Sequence, residues 1–420
     1  MQLKSTHGSI FINYTNSAIK NKTLLQKLKD DQIKIEKIKL EDLCDFASGA
    51  PGQSAYRTVV PISMRRALSQ VKNPYARPDD IALLVAYSAD RCVGYHGLLP
   101  CLLKQGDTLH RVHWATAFYV APAFRGRKIG KRLLEEIKNL KIDFIVPQMT
   151  ESAERAYRNT GYKDMGYLTF FQLRVDRLDI LGTLFNTATS YLEKFMNPSS
   201  PLITYLKRMH QAIYRGAKSV FYRTATKDQR DVAGRFKWNV VARIDESGRR
   251  SCAGYSNRPS FFRGIEAVNW MLQYPWVVSK TSGIKKTINF YFSETRDIFQ
   301  YVAIEFYHPA DRNPAGFMVL SMSHKKEKTR IKLLDFQLQD TEDVQIIGYL
   351  ILKYAAKFRA DCIEYPDYLA EYFQSLRWTK KLIKRQTRLY LFHPSGNGSP
   401  LAVSRGKIRF DYCDGDTAFT

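Results

Sequence analysis

Phe118-Tyr-Val-Ala-Pro-Ala-Phe-Arg-Gly-Arg-Lys-Ile-Gly-Lys-Arg-Leu-Leu134 decides how this 420-residue chain reads. An apolar strand, Ala115 to Val120, runs into Pro122 and then into a loop dense in Arg, Gly and Lys. Leu133, Leu134 and Ile137 follow at helical spacing, so a helix is predicted to start at once. Strand, glycine loop and helix in that order build an anion cradle. Gly126 and Gly130 permit a tight turn and the close approach of a ligand. The first helical turn offers unpaired N–H groups and the positive end of its dipole. Arg125, Arg127, Lys128 and Lys131 add full charges around the same spot, which suits a pyrophosphate. A basic turn before an ordinary helix is the competing reading of the loop alone.

Downstream, the sequence predicts a strand over Ile142 to Val146 and a short helix from Glu151 to Asn159. Gly161-Tyr162 and a long strand, Tyr167 to Val175, come next. Here the chain resembles the GNAT superfamily of acetyl-CoA-dependent N-acyltransferases. The family's phosphate loop, Arg/Gln-x-x-Gly-x-Gly/Ala after Val-x-Pro, is matched by Arg125-Gly-Arg-Lys-Ile-Gly130 behind Val120-Ala121-Pro122. Its later motif, Tyr-x-x-x-Gly-Phe/Tyr, is matched by Tyr157-Arg-Asn-Thr-Gly161-Tyr162. Two positions depart from the pattern. Lys128 stands where the middle Gly is usual, and Thr150, seven residues before Tyr157, stands where many relatives carry Asn.

The resemblance implies an α/β fold with a mixed sheet and acyl transfer from acetyl-CoA to an amine, without an acyl-enzyme. It implies that Phe118, Tyr119 and Val120 bond the pantetheine through backbone groups splayed at a bulge. It gives the pyrophosphate to Arg125, Gly126, Arg127, Lys128, Ile129, Gly130 and Lys131. By motif position it makes Tyr157 the proton donor to the leaving thiolate, a role that a phenol with a pKa near 10 can fill; a core tyrosine is the alternative. For the general base, His113 on the strand that would carry the thioester and His110 near its start are the candidates, beside an ordered water.

Composition narrows the rest. Lys and Arg number 65 against 40 Asp and Glu, a net charge of +25 that raises the question of polyanionic partners. The charge is spread along the chain without a nucleic-acid-binding signature, so a solvated basic surface is expected. Six cysteines lack Cys-x-x-Cys or metal-ligand spacing, so they read as reduced thiols, with no metal site. No signal-peptide pattern opens the chain and no apolar stretch is long enough to span a bilayer. A cytoplasmic protein is expected.

The organisation predicted is a lead-in over 1–32 with helical character, a GNAT-like domain over 33–176, a helical connector over 177–235, a degenerate GNAT-like domain over 236–400, and a tail over 401–420. In the connector, Leu178, Leu181, Leu184, Tyr191, Leu192 and Phe195, then Leu202, Tyr205, Met209 and Ile213, recur at helical spacing around a break at Pro198 to Pro201. Its aromatics are expected in a core between domains. The second half repeats the element order of the first. Aligning Trp378 with Tyr162 puts Arg377 over Gly161 and Phe373 over Tyr157. Where the first half has its basic loop, the second has Leu338-Gln-Asp-Thr-Glu-Asp343, acidic and without Gly, which would repel a diphosphate. Two further functions stay open: a non-catalytic scaffold of GNAT-like halves, and a nucleic-acid-binding protein suggested by charge alone.

Overall fold

The computed structural model describes residues 33–49, 59–179, 182–197, 199–227, 229–245, 258–283, 286–311, 313–325, 327–340, 343–376, 379–396 and 398–419. The lead-in, Leu181, Pro198, Cys252, Thr341, Glu342, Arg377 and Trp378 lie outside the described residues. The aligned pair Arg377-Trp378 is therefore not described, while Phe373 is fully buried.

Apolar runs rich in Val, Ile, Leu and aromatics make long strands, and several are buried on both faces, as central strands covered by helices require. In chain order the strands are β1 (Ile33–Lys39), β2 (Ile81–Ser88), β3 (Arg91–Gln105), β4 (Thr108–Val120), β5 (Phe144–Val146), β6 (Lys163–Arg174), β7 (Lys237–Val241) and β8 (Ser260–Phe262). They continue with β9 (Val278–Ser279), β10 (Thr295–Arg296), β11 (Ile298–Tyr307), β12 (Gly316–Lys325), β13 (Lys328–Leu338), β14 (Cys362–Pro366) and β15 (Ile383–His393). β9 and β10 form a small parallel pair. All the others join one mixed sheet in the order β1-β2-β3-β4-β5-β15-β6-β14-β13-β12-β11-β7, with β8 beside β3.

That order shows an exchange. β15, from the end of the chain, sits between β5 and β6, pairing Leu391–His393 with Phe144–Val146. β6, from the first half, sits between β15 and β14, pairing Phe170–Arg174 with Cys362–Pro366. Each half thus completes its sheet with the other half's last strand. Residues 401–419, expected as a tail, pack into the core with Leu401, Phe410, Tyr412 and Phe419 buried. Arg263 anchors this segment by ion pairs to Asp414 and, at 2.7 Å, to Asp335 of β13.

Pro100 falls where β3 has left β2, whose last partner is Gly97, and has not yet reached β8, whose first is Leu102. A residue without an N–H fits that unpaired edge. The connector forms helices Gly182–Phe195, Pro201–Lys227 and Arg230–Gly234. Phe221 and Tyr222 are buried, but Leu184, Tyr191, Phe195, Leu202, Tyr205 and Ile213 are exposed. This corrects the expectation that the connector's apolar residues serve a core: only one side of the long helix packs against the second half. Among the described residues no helix is long and apolar enough to cross a membrane.

Candidate functional site

The site arises where two parallel strands part. β4 and β5 pair only through His113–Phe144 and Trp114–Ile145. From Ala115 to Val120 the β5 side of β4 is open, and a cleft of about 680 Å³ begins there. β4 is also bulged: Gly97 faces Thr116 and Tyr95 faces Tyr119, so Ala117 and Phe118 together oppose His96. Ala117 takes a φ of +48°. The splayed backbone expected for holding an extended chain is therefore present.

Beyond β4 the chain forms a turn of 3-10 helix, Pro122–Phe124, then the basic loop, then the helix Ile129–Asn139. Leu133, Leu134 and Ile137 fix that helix against Phe144, Val146 and Tyr157 in one buried cluster. Gly126 has a φ of +83° and Lys128 a φ of +60°. The position where the family pattern prefers Gly is thus a left-handed one, and Lys128 accepts that conformation at a cost of about 1 kcal/mol. Gly130 is needed for a different reason: a Cβ there would lie 3.2 Å from Cζ of Phe118. The first internal bond of the helix runs from Arg132 N–H to the Lys128 carbonyl, 3.0 Å. Among the described residues the amides of 126–131 donate to no backbone carbonyl, so they remain available to an anion.

Arg125, Gly126, Lys128, Ile129, Gly130 and Lys131 line the cleft, as do Phe118, Tyr119 and Val120. Arg127 does not; its guanidinium lies over the Phe124 ring, 5.0 Å from the centroid. Thr150 lines the cleft and caps the helix Glu151–Asn159, its hydroxyl accepting from Ala153 N–H at 3.3 Å.

Tyr157 also lines the cleft yet is 1% exposed. Its hydroxyl is 2.6 Å from Nε2 of His96. His96 Nδ1 donates to the Gly97 carbonyl at 2.9 Å, which fixes the tautomer and leaves Nε2 as acceptor of the Tyr157 proton. His96 stacks on Phe118, centroids 4.9 Å apart, so the ring that packs on Gly130 also braces the histidine behind the tyrosine. Burial drives the Tyr157 pKa well above its usual value, with the Tyr162 and Asp416 charges adding to the rise. The phenol is neutral at physiological pH and acts as a hydrogen-bond donor.

His113 does not join this group. It sits at the closed end of the β4–β5 pair, its backbone N–H bonded to Asp143 O at 2.8 Å, and the cleft begins beyond it. Burial, with the Arg111 charge assisting, lowers its pKa to about 4. An imidazole so poor in proton affinity is a weak base at neutral pH, and this corrects the expectation that it serves as the general base. His96 is also lowered by burial to about 4. Both histidines therefore bind a proton more readily when unfolded, near pH 6.5, than when folded. Stability is full above pH 6.5 and falls between pH 6.5 and 4, by up to about 3 kcal/mol per histidine. Urea unfolding at pH 7 and pH 4.5 checks this; His113→Gln should flatten the profile.

Another part of the cleft wall comes from segments that local patterns do not connect. Tyr291, Phe292 and Asp416 close it opposite Tyr119, with Tyr119 and Tyr291 centroids 4.6 Å apart. Asp416 reaches the cleft because Gly415, at a φ of +79°, turns tightly against Pro147. Burial raises the Asp416 carboxyl, and the Arg66 guanidinium opposes that rise. Asp416 is the one acidic side chain among the described lining, which also holds Arg125, Lys128 and Lys131.

In the second half, β13 and β14 pair through Arg330–Lys332 and Cys362–Glu364 and then part in the same way. There Phe336 of β13 meets Tyr368, 5.2 Å between centroids. Tyr372 packs directly against Gly348 in the helix Val344–Lys357. Aromatic side chains from the segment that follows β14 pack onto β13 and the helix Val344–Lys357, where the first half keeps a cleft.

Residues 79–164 match the family model described as an acetyltransferase (GNAT) domain. Among solved structures, a GCN5-related N-acetyltransferase from Anabaena variabilis ATCC 29413 is similar at 12% identity and a TM-score of 0.43, over 87% of this chain and 73% of that one. A protein of Enterococcus faecalis V583 described as a probable N-acyltransferase is similar at 8% identity and a TM-score of 0.46, over 87% and 72%. Eis1 from Mycobacterium abscessus is similar at 13% identity and 0.41, over 86% and 73%. No curated protein matches the chain.

Proposed function

We propose that this chain, whose residues 79–164 match the acetyltransferase (GNAT) domain model, moves an acyl group from acetyl-CoA to an amine. The observation that supports this reading is the cleft between β4 and β5, lined by the basic glycine loop and by Tyr157 and Asp416. The residues fit the group they would hold. The amides of 126–131 with Arg125, Lys128 and Lys131 would take the diphosphate. The open backbone edge from Ala115 to Val120 would take the amide-bearing arm as an added strand.

Acetyl-CoA supplies an activated acyl group when bound. Tyr157 carries one proton, which rests on Nε2 of His96; its O–H would rotate from that nitrogen to the departing sulfur as negative charge builds there. Its raised pKa makes stabilisation by this hydrogen bond more favourable than complete proton loss. Asp416, a carboxylate whose proton affinity burial increases, accepts the proton of an incoming ammonium. Tyr119, Tyr291 and Phe292 offer apolar faces to the amine and exclude water.

Incubating the purified protein with acetyl-CoA and a panel of amines, with detection of free thiol, tests the proposal. Thiol release that depends on the amine is expected. Release that no amine accelerates, from a protein that still binds acetyl-CoA, would leave a cofactor-binding scaffold instead.

A further inference from the structure

We propose that the helix Pro201–Lys227, with its neighbour Gly182–Phe195, is a docking face for an anionic lipid surface. The long helix is apolar on two opposite sides. One side is buried: Phe221, Tyr222 and Ala225 face the second half, and Lys218 is held there by Asp361 at 2.8 Å. The other side carries Leu202, Tyr205, Ile213 and Val220 at 47%, 63%, 47% and 67% exposure. At 100° per residue these four fall within an arc of about 80°. The neighbouring helix repeats the feature with Leu184, Tyr191 and Phe195, exposed by 67%, 61% and 72% and spaced on one stripe. A helix of a globular protein ordinarily turns its polar side to water.

Charge selects the occupant. Residues 201–227 contain no Asp or Glu, while Arg208, Arg215 and Arg223 are exposed beside the stripe. A second copy meeting this face about a twofold axis would set these arginines against their own counterparts, like charge against like. A nucleic acid would satisfy the arginines and leave the apolar stripe in water. An interface of anionic headgroups satisfies both: the stripe enters the acyl boundary and the guanidinium groups stay at the phosphates. The helix lies along the surface and does not span it.

Flotation of the full chain with vesicles tests this. The protein should rise with phosphatidylcholine–phosphatidylglycerol vesicles at low salt, much less at high salt, and not with phosphatidylcholine alone. Leu202→Ser, Ile213→Ser and Val220→Ser combined should lower partitioning by about tenfold or more. Arg208→Ser with Arg215→Ser should weaken it and remove most of its salt dependence. An unchanged melting temperature and unchanged acetyl-CoA affinity show that the variants fold and separate this face from the cleft. Failure of the wild type to float with anionic vesicles would overturn the proposal, as would a triple variant that floats equally well. Sedimentation in which the triple substitution converts a dimer to a monomer would assign the face to a second copy and overturn it too.

Discussion

Gly130→Leu is expected to lower the affinity for acetyl-CoA by about a hundredfold or more, measured by calorimetric titration. The reason is local and steric. A single Cβ at this position already stands 3.2 Å from the Phe118 ring. A branched side chain must displace that ring or enter the diphosphate nest, and either outcome removes amides that an anion would use. Arg125→Glu addresses the same site through charge. Arg125 is exposed, and its Nε donates to the Val120 carbonyl at 3.2 Å, tying the loop to the end of β4. Reversal places a carboxylate beside the diphosphate and unties the loop, for a loss of about ten- to a hundredfold. Arg125 is exposed, so Arg125→Glu should melt close to the wild type, whereas Gly130→Leu should lose some stability because Phe118 packs against the buried cluster. Affinities equal to the wild type would remove the loop as the cofactor site.

Tyr157→Phe is expected to lower turnover by about a hundredfold or more while changing acetyl-CoA affinity little, because only the hydroxyl hydrogen bond is lost. The His96 contact makes the prediction sharper. His96→Leu removes the acceptor that orients the phenol, and turnover should fall. His96→Gln, whose amide oxygen can accept the Tyr157 proton in place of Nε2, should recover much of the loss. In the Tyr157→Phe background, His96→Leu should add almost nothing to the loss of turnover. A packing role for His96 would make the two losses additive instead, which steady-state kinetics on the four variants distinguishes. The turnover pH profile should show no ionisation of Tyr157 in the neutral range, since its pKa lies well above 10.

The parts of the site legible in the sequence were those encoded by contiguous spacing. The strand–loop–helix order from Ala115 to Ile137 announces its own geometry, because the glycines and the amphipathic helix lie within two turns of each other. The place of Tyr157 on the cleft wall was legible by its interval from Gly161-Tyr162. Lys128 looked like a departure from the family pattern, yet the structure gives it the left-handed backbone that the pattern's Gly would adopt.

What escaped the sequence depends on pairing between distant segments. The exchange of β6 and β15 leaves no local mark, because the hydrophobic pattern of a strand does not name its partner. The return of the C-terminal residues to the cleft hides Asp416 for the same reason, since Gly415 and Arg263 act only once both halves are assembled. His96 lay inside an apolar run on β3, where a histidine reads as core, and only the bulge of β4 opposite it brings its ring under Tyr157. The exposed stripe on the connector shows the converse limit. Helical spacing of apolar residues fixes a face but not what covers it, and here two opposite faces share one helix.

The central claim is that a diphosphate binds the free amides between β4 and the helix Ile129–Asn139. A crystal structure of the protein with CoA tests it most directly. The account predicts both phosphorus atoms over the amides of 126–131, with the pantetheine arm along Ala115 to Val120 and its sulfur facing the Tyr157 hydroxyl. Density for CoA at the β13–β14 end, with the β4 cleft closed by Phe118 and Tyr157, would contradict it.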